Sequence, residues 1–382
     1  MTNWKPTSWQ DRPTDHQPVY ADLKALDAAV DTVSQLPPLV SSWEIEALKT
    51  QLGEAASGKR FLLQAGDCAE RFADCRPEHI TGQLKVLLQM SLVLVHSTKR
   101  RAIRVGRIAG QYAKPRSSID ETVDGVTLPS YRGDLVNDIA FEESARIPDP
   151  DRIVQGFERS AMTVNFIRAL IDGGFADLHH PEYWDLGFVE HSPRASEFQA
   201  IVESIAESLR FMETLAGESI GAIDRVEFFT SHEGLHLHYE QAQTRQVPRR
   251  VGCYNLSCHF PWIGARTVAV DGGHVEFFRG IQNPIGVKIG THDVEIEKLL
   301  DVLHPDNELG RMTLIHRYGV EKVKDELPKL IEAVQATGKQ VVFVCDPMHG
   351  NTKNTELGIK TRSFDDILGE LESSIEIHQQ MN

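Results

Sequence analysis

From Lys59 onward the chain repeats one rhythm: a short apolar run, a tip crowded with charged and polar residues, then a stretch of helical periodicity. The runs are "RFLLQAGDC", "RAIRVGRIAG", "RVEFFTSHE", "YNLSCHFPW", "NPIGVKIGT", "RMTLIHRYG" and "QVVFVCDPMHG". Between several of them lie amphipathic stretches such as "PEHITGQLKVLLQMSLVLVHSTK" and "EKVKDELPKLIEAVQATGK". Strands that alternate with helices are joined by crossovers, and crossovers make parallel sheets. The expectation is an α/β fold, a (β/α)8 TIM barrel over residues 61–382, with reactive groups at the C-terminal ends of its strands. Asp67, Cys68, Arg107, His232, Glu233, Lys288, Arg317, Asp346 and His349 all fall at or just past such ends. An open doubly wound sheet would also place ligands there. No Gly-rich phosphate loop with Rossmann or P-loop spacing accompanies these strands.

Counted this way there are seven strands. The barrel expected from the chain as given therefore lacks its eighth strand and is C-terminally incomplete, with "TRSFDDILGELESSIEIHQQM" as its last helix. Residues 1–60 read as an N-terminal extension. Within it, Ser42 is placed to cap a helix whose apolar stripe is Ile45, Leu48 and Leu52.

A net charge of -15 over 382 residues argues against a phosphate backbone as partner, so no nucleic-acid binding is expected. No apolar run reaches the roughly 20 residues that span a bilayer. "MTNWKPTSWQ" lacks the apolar centre of a signal peptide. Five scattered cysteines do not form a disulfide scaffold. These features place the chain in the cytoplasm, without membrane partners.

Two chemistries gather at the strand tips. Cys68 and His349 offer a thiolate and an imidazole, which suit a divalent transition metal; as readings of the same spacing, a small buried cysteine and a satisfied loop histidine remain open. Cys75, Cys253 and Cys258 read as structural. In "SHEGLHLHYE", His232, His236 and His238 are expected to face solvent, a second metal site being the alternative. Cations supply the other chemistry: Arg104, Arg107, Lys114, Arg116, Lys288, Arg317, Lys360 and Arg362. Arginine presents a planar fork to phosphate and carboxylate, and lysine adds a compact charge. In an acidic chain such cations point to small polyanionic substrates, because a cation set in an apolar run is costly without an anion.

"LLQAGDCAERF", "GRIAGQYAKPRSS", "TSHEGL", "WIGART", "NPIGVKIG", "RMTLIHRYG" and "CDPMHGNT…IKTRSF", in this order, resemble the type II (plant-type) 3-deoxy-D-arabino-heptulosonate-7-phosphate (DAHP) synthases. The resemblance runs from "SWQDRP…QPVY" to the C-terminus. It implies a (β/α)8 barrel that condenses phosphoenolpyruvate with erythrose 4-phosphate at the head of the shikimate pathway. It also implies a divalent ion, Mn2+ or Co2+, on Cys68 and His349. Arg107, Lys114, Ala265 (through its backbone), Arg266, Lys288 and Arg317 then match residues around phosphoenolpyruvate. Arg116, Ser117 and Lys360 match those near the sugar phosphate. Lys288 and His349 are the catalytic candidates, and a homo-oligomer is expected.

Ala265 stands where the family usually has an acidic residue. Two further metal ligands of the family are expected beyond Asn382, which predicts an inactive or nearly inactive chain. The resemblance leaves two alternatives: an amino-sugar variant of the reaction, and a non-catalytic barrel that binds phosphoenolpyruvate or regulates a partner. Residues 195–216 form an amphipathic stretch suited either to oligomer contacts and aromatic-amino-acid feedback or to an ordinary barrel helix.

Overall fold

The computed structural model describes residues 4–116, 118–173, 191–216, 227–290, 294–356 and 359–381. In chain order its helices are α1 (Leu23–Gln35), α2 (Ser42–Ala56), α3 (Pro77–Thr98), α4 (Asp151–Asp172), α5 (Ala195–Ala216), α6 (Leu237–Ala242), α7 (Gly273–Phe278), α8 (Ile296–Leu303), α9 (Val323–Thr337) and α10 (Phe364–Met381). The strands β1 (Arg60–Gly66) and β2 (Arg101–Arg107) precede the hairpin β3 (Asp120–Val123) and β4 (Val126–Pro129), then β5 (Phe229–Thr230). A second hairpin, β6 (Thr244–Gln246) and β7 (Cys253–Asn255), precedes β8 (Trp262–Ile263), β9 (Ile285–Ile289), β10 (Met312–His316) and β11 (Val342–Cys345). The short pair β12 (Lys353–Asn354) and β13 (Lys360–Thr361) completes the set.

Contacts divide the chain into two units: Met1–Pro18 with Ser41–Ser57 and Glu233–Asn382, and Val19–Val40 with Gly58–His232. In the first unit β11, β10, β9 and β8 form a parallel sheet in that order. Alternation decides its faces. Ile285, Val287 and Ile289 of β9, with Met312 and Leu314 of β10, join one apolar core with Leu299 and Leu300 of α8, Leu327, Leu330 and Ile331 of α9, and Ile377 of α10. Gly286 and Lys288 therefore point to the opposite face. Trp9 enters the same core from the N-terminal segment, and Trp4 Nε1 donates to the Glu276 carbonyl.

The cap of α2 is one residue earlier than the sequence suggested. Ser41, not Ser42, is the N-cap, in a capping box with Glu44. The Glu at the third helical position selects that register. Ile45, Leu48 and Leu52 are fully buried as expected.

In the second unit β1, β2 and β5 are parallel. Ile80, Leu84, Leu88 and Leu92 recur on one side of α3 and pack with Ile167 and Ile171 of α4. The apolar run at 254–262 departs from expectation. Its start, Cys253–Asn255, pairs antiparallel with Thr244–Gln246, and only its end, Trp262–Ile263, joins the parallel sheet.

Candidate active site

Lys288 lies on the face of β9 opposite the apolar core, and it is buried. Its Nζ donates to Asp346 Oδ2 at 2.7 Å and sits 4.5 Å from the centroid of the Trp262 ring. Asp346 follows the last residue of β11, and its backbone N–H donates to the His316 carbonyl. The same carboxylate accepts from the backbone N–H groups of Met348 and His349. It also takes His349 Nδ1 at 2.7 Å from Oδ2 and 2.9 Å from Oδ1. Burial alone would raise the Asp346 carboxyl, but the His349 hydrogen bond and the Lys288 charge overcome it and hold the group far below its ordinary range. An ionised carboxylate only accepts, so Nδ1 carries the proton and Nε2 is the basic nitrogen of His349.

Arg317 leaves β10 at its C-terminal end. Its backbone N–H donates to the Ile289 carbonyl, and its side chain lies over Gly290, where an added Cβ would come within 3.3 Å of Nε. That Nε is buried and has no hydrogen-bond partner among the described residues. Ala265 and Arg266 sit in the turn after β8, closed by Thr267 N–H on the Gly264 carbonyl, with Ala265 half-buried and Arg266 exposed. Lys360 is exposed on β13. Arg362 Nε donates to the Met348 carbonyl and so ties down the 346–350 loop. A 380 Å³ cleft bounded by Ile289, Tyr318, Glu326 and Lys329 includes none of the predicted site residues.

In the second unit, Cys68 is an exposed cysteine outside any disulfide just past β1, and its carbonyl accepts from Arg107 Nη2 at 3.2 Å. Two residues on, Glu70 is buried and its carboxylate accepts the backbone N–H groups of Ala109, Gly110 and Gln111 at 2.9, 2.9 and 2.7 Å. Ala109 holds φ 66°, a left-handed conformation that turns successive N–H groups toward one anion. A side chain at Gly110 would run into the His232 ring. Glu70 thus shapes the loop that carries Arg107 and Lys114. Lys114 is half-buried, its backbone N–H on the Arg132 carbonyl. Arg116 is engaged by Glu121 at 2.6 Å, and Glu121 is shared with Arg146. Ser117 lies outside the described residues.

Three readings of the sequence need correction. His232 and His236 are buried rather than solvent-facing. His236 Nδ1 accepts from the Tyr239 N–H as the N-cap of α6, and burial lowers its pKa to about 3. Arg104 does not belong to the strand tips, since its Nε donates to Ser91 on α3 at 2.7 Å. It stands three residues from Arg107, and an odd separation in a strand puts two side chains on opposite faces. Glu70 was missed, although its place three residues after Asp67 in a strand-end loop was a visible signal.

The comparisons with known proteins follow this geometry. The sequence profile of the Class-II DAHP synthetase family matches residues 4–382. The chain belongs to the Class-II DAHP synthetase family. Among proteins similar to this Class-II DAHP synthetase family member is the phospho-2-dehydro-3-deoxyheptonate aldolase of Neurospora crassa, 45% identical over 99% of this chain and 82% of that protein. The Streptomyces coelicolor protein of the same name is 44% identical over 98% and 83%. The Mycolicibacterium smegmatis aldolase AroG is 42% identical over 97% and 80%. The chain is thus an enzyme of this family, as its motif order implied.

The family resemblance also implied a divalent metal, and the donor chemistry fits one. A carboxylate on Nδ1 is the arrangement that orients a metal-binding imidazole and raises the basicity of Nε2. Cys68 presents an exposed thiol at a strand end, a soft donor type.

Proposed function

We propose that this enzyme condenses phosphoenolpyruvate with erythrose 4-phosphate to give DAHP and inorganic phosphate. The observation that carries the reading is the Lys288–Asp346–His349 constellation, with Lys288 buried, at parallel strand ends in a member of this family. C3 of phosphoenolpyruvate donates its electron pair to the aldehyde carbon, and the aldehyde oxygen takes a proton. Water then bonds to C2 and releases a proton, the bond between C2 and the phosphate oxygen breaks, and phosphate leaves with that electron pair. The C2 hydroxyl gives its remaining proton to the departing phosphate as it becomes the keto oxygen. Lys288 Nζ is the proposed proton donor to the aldehyde oxygen, with Asp346 holding it in place. His349, with the proton fixed on Nδ1, is the second catalytic group.

By the family resemblance, Arg107, Lys114, Arg266, Lys288 and Arg317 are assigned to phosphoenolpyruvate; Ala265 contributes its backbone. Arg116, Ser117 and Lys360 are assigned to the sugar phosphate. Arg116 must then exchange Glu121 for phosphate. Cys68 and His349 would hold a divalent ion such as Mn2+ or Co2+, which supplies Lewis-acid polarisation of the aldehyde when bound. The same reading takes the parallel strands as those of a (β/α)8 barrel and the enzyme as a cytoplasmic homo-oligomer. No helix among the described residues is long and apolar enough to cross a membrane.

The test is phosphate release from both substrates with Mn2+ or Co2+, run beside calorimetry with phosphoenolpyruvate. Turnover that needs both substrates supports the reading. Replacing erythrose 4-phosphate with its imino analogue separates the amino-sugar variant. Neither turnover nor phosphoenolpyruvate binding with either metal would overturn the assignment.

A further inference from the structure

Behind the Lys288 face, on the helix side of the same sheet, a second cluster of ligand-type side chains closes the ends of β10 and β11. His316 and Cys345 are register partners in adjacent parallel strands. His316 continues the face of Met312 and Leu314, and Cys345 that of Val341 and Phe343, which is the face packed in the apolar core. Cys345 thus points away from the side taken by its neighbour Asp346. Glu370 reaches the pair from α10, fully buried. One ligand atom from each of His316, Cys345 and Glu370 lies within 4.8 Å of the other two.

We propose that His316, Cys345 and Glu370 form a buried structural site for a zinc-class divalent ion, separate from the site at Lys288, Asp346 and His349. A thiolate, an imidazole and a carboxylate are the donor types that zinc takes. The thiolate and carboxylate would together balance a 2+ charge in a place where an unbalanced charge is costly. The His316 ring is 1% exposed, and its Nδ1 is buried with no hydrogen-bond partner among the described residues. A buried polar atom of this kind calls for a partner beyond the described residues, and a bound cation is one that the neighbouring donors suit.

The other groups at the cluster already have roles. Glu370 accepts from Gly319 N–H and Asn351 Nδ2, which fixes its carboxylate, and Ser374 Oγ donates to Cys345 Sγ at 3.5 Å. Such second-layer hydrogen bonds orient metal ligands. Burial pushes the Cys345 thiol up to about 12, drives His316 down to about 3 and raises the Glu370 carboxyl. Burial thus opposes charge on all three groups when no cation is present. An ion would displace the proton of the thiol and in exchange join β10 and β11 to α10.

Cobalt titration of the full chain carrying Cys68→Ser and His349→Ala, which removes the donors assigned above, tests this site alone. The expected result is about one equivalent of Co2+ with a thiolate-to-cobalt charge-transfer band. Cys345→Ser should abolish that band, and Glu370→Gln should weaken binding at least about tenfold. Circular dichroism checks that each variant is folded. If the multiple variants do not fold, zinc content of the otherwise unsubstituted chain serves instead, where Cys345→Ser should remove one equivalent. No thiolate band, a band that survives Cys345→Ser, or unchanged zinc content in that variant would overturn the proposal.

Discussion

Lys288 and Asp346 form a buried ion pair at 2.7 Å, their side chains only 7% and 12% exposed. The pair is also a device for His349, because one carboxylate holds the ammonium and the imidazole together. Asp346→Asn removes the charge and leaves Lys288 buried beside an amide, which should destabilise the fold by about 3–5 kcal/mol in denaturant unfolding. The Asp346 carboxyl titrates below its ordinary value of 3.8, so its contribution is complete above that pH and is lost on further acidification. The stability gap between wild type and Asp346→Asn should therefore be full at neutral pH and narrow below about pH 4. A gap that does not depend on pH would count against an ionised Asp346.

His236 supplies a second pH effect. Burial, then the neighbouring His238 charge, lowers it from 6.5 to about 3 while it caps α6 in the neutral form. Between those values the unfolded chain holds the extra proton, so stability is complete above 6.5 and falls as pH drops toward 3. His236→Asn keeps a capping oxygen and does not titrate. Its stability should fall less steeply over that range, by about one proton in the slope. Equal slopes for the two proteins, measured by urea unfolding at several pH values, would disprove the assignment.

Glu70→Gln places an amide N–H2 against backbone N–H groups that now meet an oxygen. The variant should lose about 1–3 kcal/mol of stability. Under the proposed function, the loosened Arg107–Lys114 loop should also raise KM for phosphoenolpyruvate. Glu70→Ala should cost more than Glu70→Gln on both counts.

Arg317→Lys tests the fork rather than the charge. Lysine keeps the cation but loses the planar pair of donors. KM for phosphoenolpyruvate should rise roughly tenfold or more, about 1.4 kcal/mol, while the melting temperature changes little. An unchanged KM would remove Arg317 from the substrate site.

Local pattern alone revealed the strand runs other than the one at 254–262, together with α3, α9 and α10, the apolar stripe of α2 and the motif order that marks the family, because these depend on spacing between near neighbours. The cap of α2 was off by one residue because two adjacent serines offer the same hydroxyl and only the Glu44 contact chooses between them. Arg104 and Lys288 look alike in sequence, each a cation inside an apolar run. Packing separates them: one finds Ser91 on α3 and the other finds Asp346, because the face a strand residue occupies is decided by what covers the sheet. Tertiary structure alone buried His236, bent the 109–111 backbone around Glu70, and brought His316, Cys345 and Glu370 together from two strands and a distant helix. Hydrogen bonds and desolvation at those places act between residues far apart along the chain, and no local period records them.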